Sequence, residues 1–202
     1  MKSLNKYVVT LALIGMFPVL GFGQQYTAVE TAEIGVEKLL STVQESRALF
    51  LTDRDSYFAG IEEVLNTIVD FNAVAEVVMN RYAASASDAQ KYRFAEILRQ
   101  TLTRFYGASL VSYEGQELAF LPSKNADADA DPRADTIVRM ELRGGDSNLE
   151  LQYQMFLNEN DEWKLKNLSL VGINLGRQYF TQFSALMGQN DNDIDAVLDN
   201  WQ

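Results

Sequence analysis

The sequence predicts an α+β fold: a twisted antiparallel sheet of about four strands wrapped by helices. Three observations predict it. Apolar residues recur every three or four positions from 27 to 106, the helical period. From 136 to 157 they alternate every second position, the period of strands with one covered face. Short polar turns join the alternating runs, so helices and strands are segregated along the chain and a parallel sheet with crossovers is excluded.

The elements follow in order. Lys2 and Lys6 precede an apolar run over 7–20, broken by Gly15 and Pro18, and Gly21-Phe22-Gly23 closes it. That is the layout of a secretory signal peptide over 1–23, cut before Gln24. The run is shorter than the ~18–20 residues of a membrane span. A single domain is expected over 24–202. Val29, Ala32, Val36, Leu39, Leu40 and Val43 make 27–50 an amphipathic helix, and Phe58, Ile61, Val64, Leu65 and Ile68 do the same for 55–69. Asp70 is placed to cap a helix bearing Phe71, Val74, Val77 and Val78. Ser87-Asp88-Ala89-Gln90 is a capping box that opens a long helix through Phe94, Leu98, Leu102 and Tyr106.

Residues 112–121 read as a strand with Gly115 as a bulge, and 122–135 as a polar, acidic loop. In Thr136–Arg143, Val138, Met140 and Leu142 share a face opposite Arg139, Glu141 and Arg143. Gly144-Gly145-Asp146 turns the chain into Leu149–Leu157, whose Leu149, Leu151, Tyr153, Met155 and Leu157 share one side. After a turn at 158–161, the last strand spans 162–171. Its alternation slips from Trp163 and Leu165 to Leu168 and Leu170, which predicts a bulge near Asn167. A helix is expected from Leu175 to about Met187, then a short helix or acidic tail from about 190.

Composition excludes several functions. Without Lys2 and Lys6 the chain keeps 15 basic against 28 acidic residues, a net charge of −13. Nucleic acid is not a partner for such a surface, because phosphate binding needs basic residues. There is no histidine and no cysteine. Ser-His-Asp triads, Cys-His pairs and His- or Cys-based zinc sites are therefore impossible. Asp127, Asp129 and Asp131 begin like a calcium loop, but Pro132 and Val138 stand where an EF-hand needs Gly and Glu. Asn167-Leu168-Ser169 is a sequon inside a predicted strand, a poor acceptor context. Glu62-Glu63 and Glu159/Asp161/Glu162 read as solvated carboxylates on a helix face and a turn.

The remaining signal is apolar. Tyr82, Phe94, Tyr106, Tyr153, Tyr179 and Phe183 all fall on inward faces. Residues 169–183, SLVGINLGRQYFTQF, crowd aliphatic and aromatic side chains around one strand-to-helix corner with a single charge, Arg177. Solid core and the wall of a cavity both fit this pattern, and periodicity does not separate them.

Four segments resemble one family. Asp70-Phe71 through Arg81-Tyr82, Ser87-x-x-Gln90-x-x-x-Phe94, and Leu102-x-x-x-Tyr106-x-x-x-Leu110-x-x-Tyr113-x-Gly115 are three of them. The fourth is Trp163-Lys164-Leu165 with Asn167-Leu168, Val171-Gly172-Ile173 and Tyr179-x-x-x-Phe183. In this order, over roughly 48–187, they resemble the toluene-tolerance or MlaC-like family, periplasmic phospholipid-binding proteins of the Mla lipid-transport pathway. Ala83 stands where that family often has Trp, Met79-Asn80 replaces Leu-Gly, and Asn167 replaces a common Asp.

The resemblance implies an NTF2-like cone with extra N-terminal helices and an apolar cavity that takes phospholipid acyl chains. It implies a monomer in the periplasm with lipid as cargo and no cofactor. Its partners would be an outer-membrane lipoprotein complex and an inner-membrane ABC transporter complex with an MCE-domain protein. Strand alternation and helix phase then place at the lipid Val138, Met140 and Leu142, and Leu151, Tyr153 and Met155. From the helices come Tyr82, Phe94, Leu98, Tyr106 and Leu110. The corner supplies Val171, Ile173, Leu175, Tyr179 and Phe183. The alternatives are an NTF2-like enzyme acting on a small apolar substrate through a buried carboxylate or Tyr, and a binding module whose corner is solid core. No carboxylate falls on the apolar faces of Thr136–Arg143 or Leu149–Leu157.

Overall fold

The computed structural model of the chain describes residues 26–122, 131, 133–144 and 148–201. The expected signal peptide, most of the acidic loop with Asp127 and Asp129, and the Gly145-Asp146 part of the first hairpin turn lie outside the described residues. No described helix is long and apolar enough to cross a membrane.

Helix α1 (Ala28–Ser46) starts at a capping box, Thr27 with Glu30, and α2 (Leu49–Thr52) is one short turn. The expected single helix over 27–50 is thus broken at Arg47-Ala48. Asp53 caps α3 (Arg54–Ile68), its carboxylate accepting from the Ser56 amide at 3.1 Å. Asp70 caps α4 (Phe71–Met79) as expected, accepting from the Ala73 amide at 3.0 Å. The Ser87–Gln90 capping box opens α5 (Asp88–Leu110). Then come β1 (Glu117–Leu121), β2 (Thr136–Arg143), β3 (Leu149–Leu157), β4 (Trp163–Leu170), β5 (Ile173–Asn174), α6 (Leu175–Gln189) and α7 (Ile194–Asp199).

The fold class holds, with five strands in place of about four. All neighbours are antiparallel, in the order β1-β2-β3-β4-β5. The fifth strand is two residues long, too short to leave a periodic trace. The first strand begins later than expected. Residues 112–116 are a loop, because Arg47 donates to the Tyr113 carbonyl and the Tyr113 hydroxyl donates to the Gln116 carbonyl at 2.9 Å. Gly115, at φ +87°, serves that loop and is not a strand bulge.

The bulge in β4 is where the slipped alternation put it. Met155 faces Leu165 and Gln154 faces Asn167, so Lys166 is the extra residue. The stretch ties three elements together. The Asp70 amide donates to the Leu165 carbonyl at 3.0 Å, which docks the start of α4 on β4. The Asn167 side-chain oxygen accepts from Gly176 at 3.0 Å, and its amide nitrogen donates to Asn174 at 3.1 Å. Asn174 in turn caps α6 through the Arg177 amide at 2.9 Å. An Asp at 167, common in the resembling family, would set a carboxylate against the Asn174 oxygen. The sequon nitrogen is thus already engaged.

Buried side chains form three clusters. One joins α4, α5, α6 and α7 around Phe94, Leu98, Phe183 and Trp201. A second sets Ala28, Ala32 and Val36 of α1 on Val138, Met140 and Met155 of the sheet. The third links α1 and α3 through Val43, Tyr57 and Ile61. The segment from about 190, expected as short helix or tail, carries the docked helix α7, and Ile194, Val197 and Leu198 of α7 are buried together with Trp201 just beyond it.

Val171 and Gly172 make the two-residue turn between β4 and β5, both at positive φ, +50° and +77°. Primed hairpin turns need that conformation, and a β-branched residue takes it only under strain. Val171→Asn is expected to raise stability by about 1 kcal/mol in urea unfolding, and an unchanged midpoint would refute the strain. Asn167→Ala leaves the Gly176 amide without its acceptor and is expected to cost about 1–3 kcal/mol in the same assay.

Candidate functional site

Residues directly opposite in an antiparallel ladder point to the same side, so the register defines the sheet's inner face. Leu142 pairs with Leu149 at one end. The next layer holds Phe120, Met140, Leu151 and Leu170, and the one after it Val138, Tyr153 and Leu168. Thr136, Met155 and Leu165 follow, then Leu157 with Trp163. Ile173 extends the Leu170 layer onto β5. Glu141 and Glu150 pair on the other face, where Arg139 holds Glu150 at 2.8 Å.

Burial across this inner face is uneven. Under α1 it is sealed: Val138 is 2% exposed, and Met140 and Met155 are 0%. On the β3–β4 side Leu151, Tyr153, Leu168 and Leu170 are only half-buried, although they face inward. At the hairpin end the face opens, with Leu149 at 39% and Val171 and Ile173 at 57% exposed. Helix α5 does not close the gap, since it packs on α3, α4 and α7 and not chiefly on the sheet.

Two properties of Tyr153 pull apart. Burial pushes its phenol up to about 12, from an ordinary value of 10. Yet the side chain keeps accessible surface, and it makes no hydrogen bond among the described residues. Both hold for a ring packed against the edge of the α1–sheet cluster and surrounded by protein, yet not fully covered. A phenol in a closed core normally finds a partner. Tyr106 of α5 is half-buried; burial, and then a hydrogen bond with Tyr179 of α6, push its phenol well above its ordinary range.

The expected site residues divide accordingly. The structure brings Met140, Leu142, Leu151, Tyr153, Val138 and Met155 onto one face. Tyr106 and Tyr179 pair between α5 and α6, and Leu175, half-buried, begins α6. Leu110 packs with the α1–α3 cluster. Phe94, Leu98 and Phe183 sit in the helical cluster, where Phe94 lies 5.2 Å from Phe183 and 4.9 Å from Trp201, ring centre to ring centre. Tyr82 packs on that cluster's edge, its phenol lowered by hydrogen bonds with Ser184 and Arg81. Val171 and Ile173 are exposed at the hairpin tip. Phe120, Leu118, Leu168 and Leu170 belong to the same inner face and were not in the expected set; for the two β4 leucines the slipped alternation was the available signal. Gly176 fits closely against Val77 and Asn167, where an added Cβ would lie 2.6 and 2.7 Å from their atoms.

Two clefts along α3 and α5, of about 510 and 620 Å³, are lined by charged and amide side chains such as Glu62, Asn66, Arg99 and Arg104. Neither includes an inner-face strand residue, so they are separate from the apolar gap. Glu62 is there paired with Arg99.

Comparison with known proteins fits this layout. The family model for MlaC protein matches residues 35–202. The chain belongs to the MlaC family. The toluene tolerance protein ttg2D of Pseudomonas putida is 28% identical over 192 residues, 95% of this chain and 86% of that protein. A phospholipid-binding protein from Ralstonia solanacearum, solved in complex with a phospholipid, shares the fold at a TM-score of 0.76 and 21% identity, covering 86% of this chain and 94% of that one. The MlaC fold thus accounts for the helices on an open antiparallel sheet.

The position of Tyr153 has a consequence at high pH. Below pH ~10 the folded and unfolded chains both hold the proton, and nothing is lost. Between about 10 and 12 only the unfolded chain releases it, so stability falls across that window. Tyr153→Phe is expected to flatten the decline relative to wild type in denaturant titrations at stepped pH. Parallel curves would place the phenol in solvent.

Proposed function

We propose that this chain is a periplasmic phospholipid carrier that holds acyl chains in the gap between the sheet's inner face and α5 and α6. The observation that carries the reading is the half-covered apolar face: Leu151, Tyr153, Leu168 and Leu170 point inward yet keep accessible surface. MlaC membership and the Ralstonia relative's phospholipid support it. In this reading residues 1–23 are removed on export and 24–202 act as one lipid-binding unit, a monomer. The lipid is cargo, and no cofactor is needed. Lipid passes between an outer-membrane lipoprotein complex and an inner-membrane ABC transporter complex with an MCE-domain protein.

The residues suit this work. Tails need apolar wall and no directional contacts, at about 0.8 kcal/mol for each methylene covered. Met140 and Met155 adapt their shape to variable chains. The net charge of −13 for 24–202 keeps the carrier from anionic bilayers and leaves docking to basic patches on partner proteins. The enzyme alternative asks for a carboxylate on the inner face, and the described strands carry Glu141 and Glu150 on the outer one.

The test is native mass spectrometry of protein exported to the periplasm, followed by lipid extraction of the same sample. A mass increment matching a diacyl phospholipid is expected. Met140→Asp or Tyr153→Asp sets a carboxylate against the tails and is expected to lower lipid recovery at least about ten-fold in folded, exported protein. Lipid-free wild type that takes up nothing from vesicles would refute the carrier reading.

A further inference from the structure

The inner face is graded in depth. Its rim is Leu149, Val171 and Ile173, all exposed, and two layers down stand Tyr153 and Leu168. A strand rise of ~3.4 Å per residue puts Tyr153 roughly 14 Å below Leu149. Met155, one layer deeper and 0% exposed, shares a buried cluster with Ala28, Ala32 and Val36 of α1 and with Val138 and Met140 beside it on the sheet. On its β3 side the accessible strip therefore has a floor, while Leu165 on the β4 side of that layer stays half-buried like Leu168.

We propose that Tyr153 and Met155 act as a length stop, setting the longest acyl chain the carrier accommodates. The proposal rests on the carrier reading above. Tyr153 is suited to the task because its hydroxyl has no hydrogen-bond partner among the described residues while the ring faces the gap. A tail that ends short of the hydroxyl leaves it hydrated. A tail that passes it strips that water and returns no hydrogen bond, an unfavourable exchange. Beyond it, Met155 fills the β3 side of the next layer, so extra methylenes find apolar wall only toward Leu165 on β4. The distance from the rim matches an extended chain of about eleven methylenes, since a zigzag of ~1.5 Å C–C bonds advances ~1.25 Å per methylene. Longer chains must bend or remain in the mouth. Methionine makes the floor yielding, so the fall-off with length is graded.

The experiment loads purified full-length mature protein from vesicles of mixed phosphatidylcholines, roughly 12 to 20 carbons per chain, and reads relative occupancy by native mass spectrometry. Wild type is expected to lose occupancy beyond a definite length. Met155→Ala, which deepens the floor, and Tyr153→Phe, which removes only the hydroxyl, are expected to move that fall-off to longer chains. Each additional methylene accommodated favours the longer lipid by about four-fold. Tyr153→Trp, which fills the strip, is expected to move it shorter. Tyr153→Phe is close in volume to wild type and keeps the test open if Met155→Ala fails to fold. Lipid-loaded variants with the wild-type length profile would overturn the length stop and leave the carrier reading standing. A wild type that takes up no lipid would overturn both.

Discussion

One extra residue in β4 organises this molecule. A strand alternates its faces strictly, so without Lys166 either Trp163 and Leu165 or Leu168 and Leu170 would point to the wrong side. With it, the whole of β4 presents apolar side chains to the same face as β3. The bulge also frees backbone and side-chain groups to hold the helices. Leu165 receives the amide of Asp70, and Asn167 reaches Gly176 and Asn174. Sheet face, α4 and α6 are thereby fixed relative to one another by a few hydrogen bonds in one short segment. Of the residues concerned, Asp70-Phe71 belongs to the segments that carry the family resemblance, whereas Asn167 stands where that family commonly has Asp.

Because α4 and α6 are anchored at the β4 edge, they build their core with α5 and α7 and not across the sheet. The result is a helical cluster around Phe94 and Trp201, complete without the strands. Helix α1 roofs the middle of the sheet, and inner-face residues of β1 and of β3–β4 on either side are left half-covered. A protein selected only for stability would close that gap, since each buried methylene contributes about 0.8 kcal/mol. A lipid with roughly 30 methylenes loses on the order of 20 kcal/mol when bare in water. A carrier gains by leaving its own apolar surface incomplete so that the cargo completes it.

Much of this was legible in the sequence, and what was not has a physical cause. The Asp70 cap and the Ser87 capping box are local interactions between residues three apart, and both stand as expected. The limits of β2 and β3 follow from alternation alone. The loop at 112–116 was misread as strand because its determinant, the contact from Arg47 to the Tyr113 carbonyl, spans 66 residues. The aromatic stripe was read correctly as inward. Its division was not legible: Phe94 meets Trp201 and Tyr106 meets Tyr179, and helix phase does not say which inward side chain finds a partner and which faces a gap.

The corner at 169–183 shows where stability and access pull in different directions. Its turn places a β-branched Val171 at φ +50°, where Asn or Gly would sit without strain. The same residue is 57% exposed and stands with Ile173 and Leu149 at the open end of the inner face. Exposed aliphatics on a strained turn are costly twice over, and strain of this kind persists mainly where the position has work to do. In the proposed carrier, an apolar rim at this end would shorten the path over which a tail is wet while it enters or leaves. A polar Asn at the tip would relieve the backbone and interrupt that path. The inner corner behind it is closed by Gly176, which allows α6 to start against Val77 and Asn167. The tip is therefore exposed and strained while its base is closely packed, so in the proposed carrier a tail would meet the rim without disturbing the packing that joins α6 to the sheet.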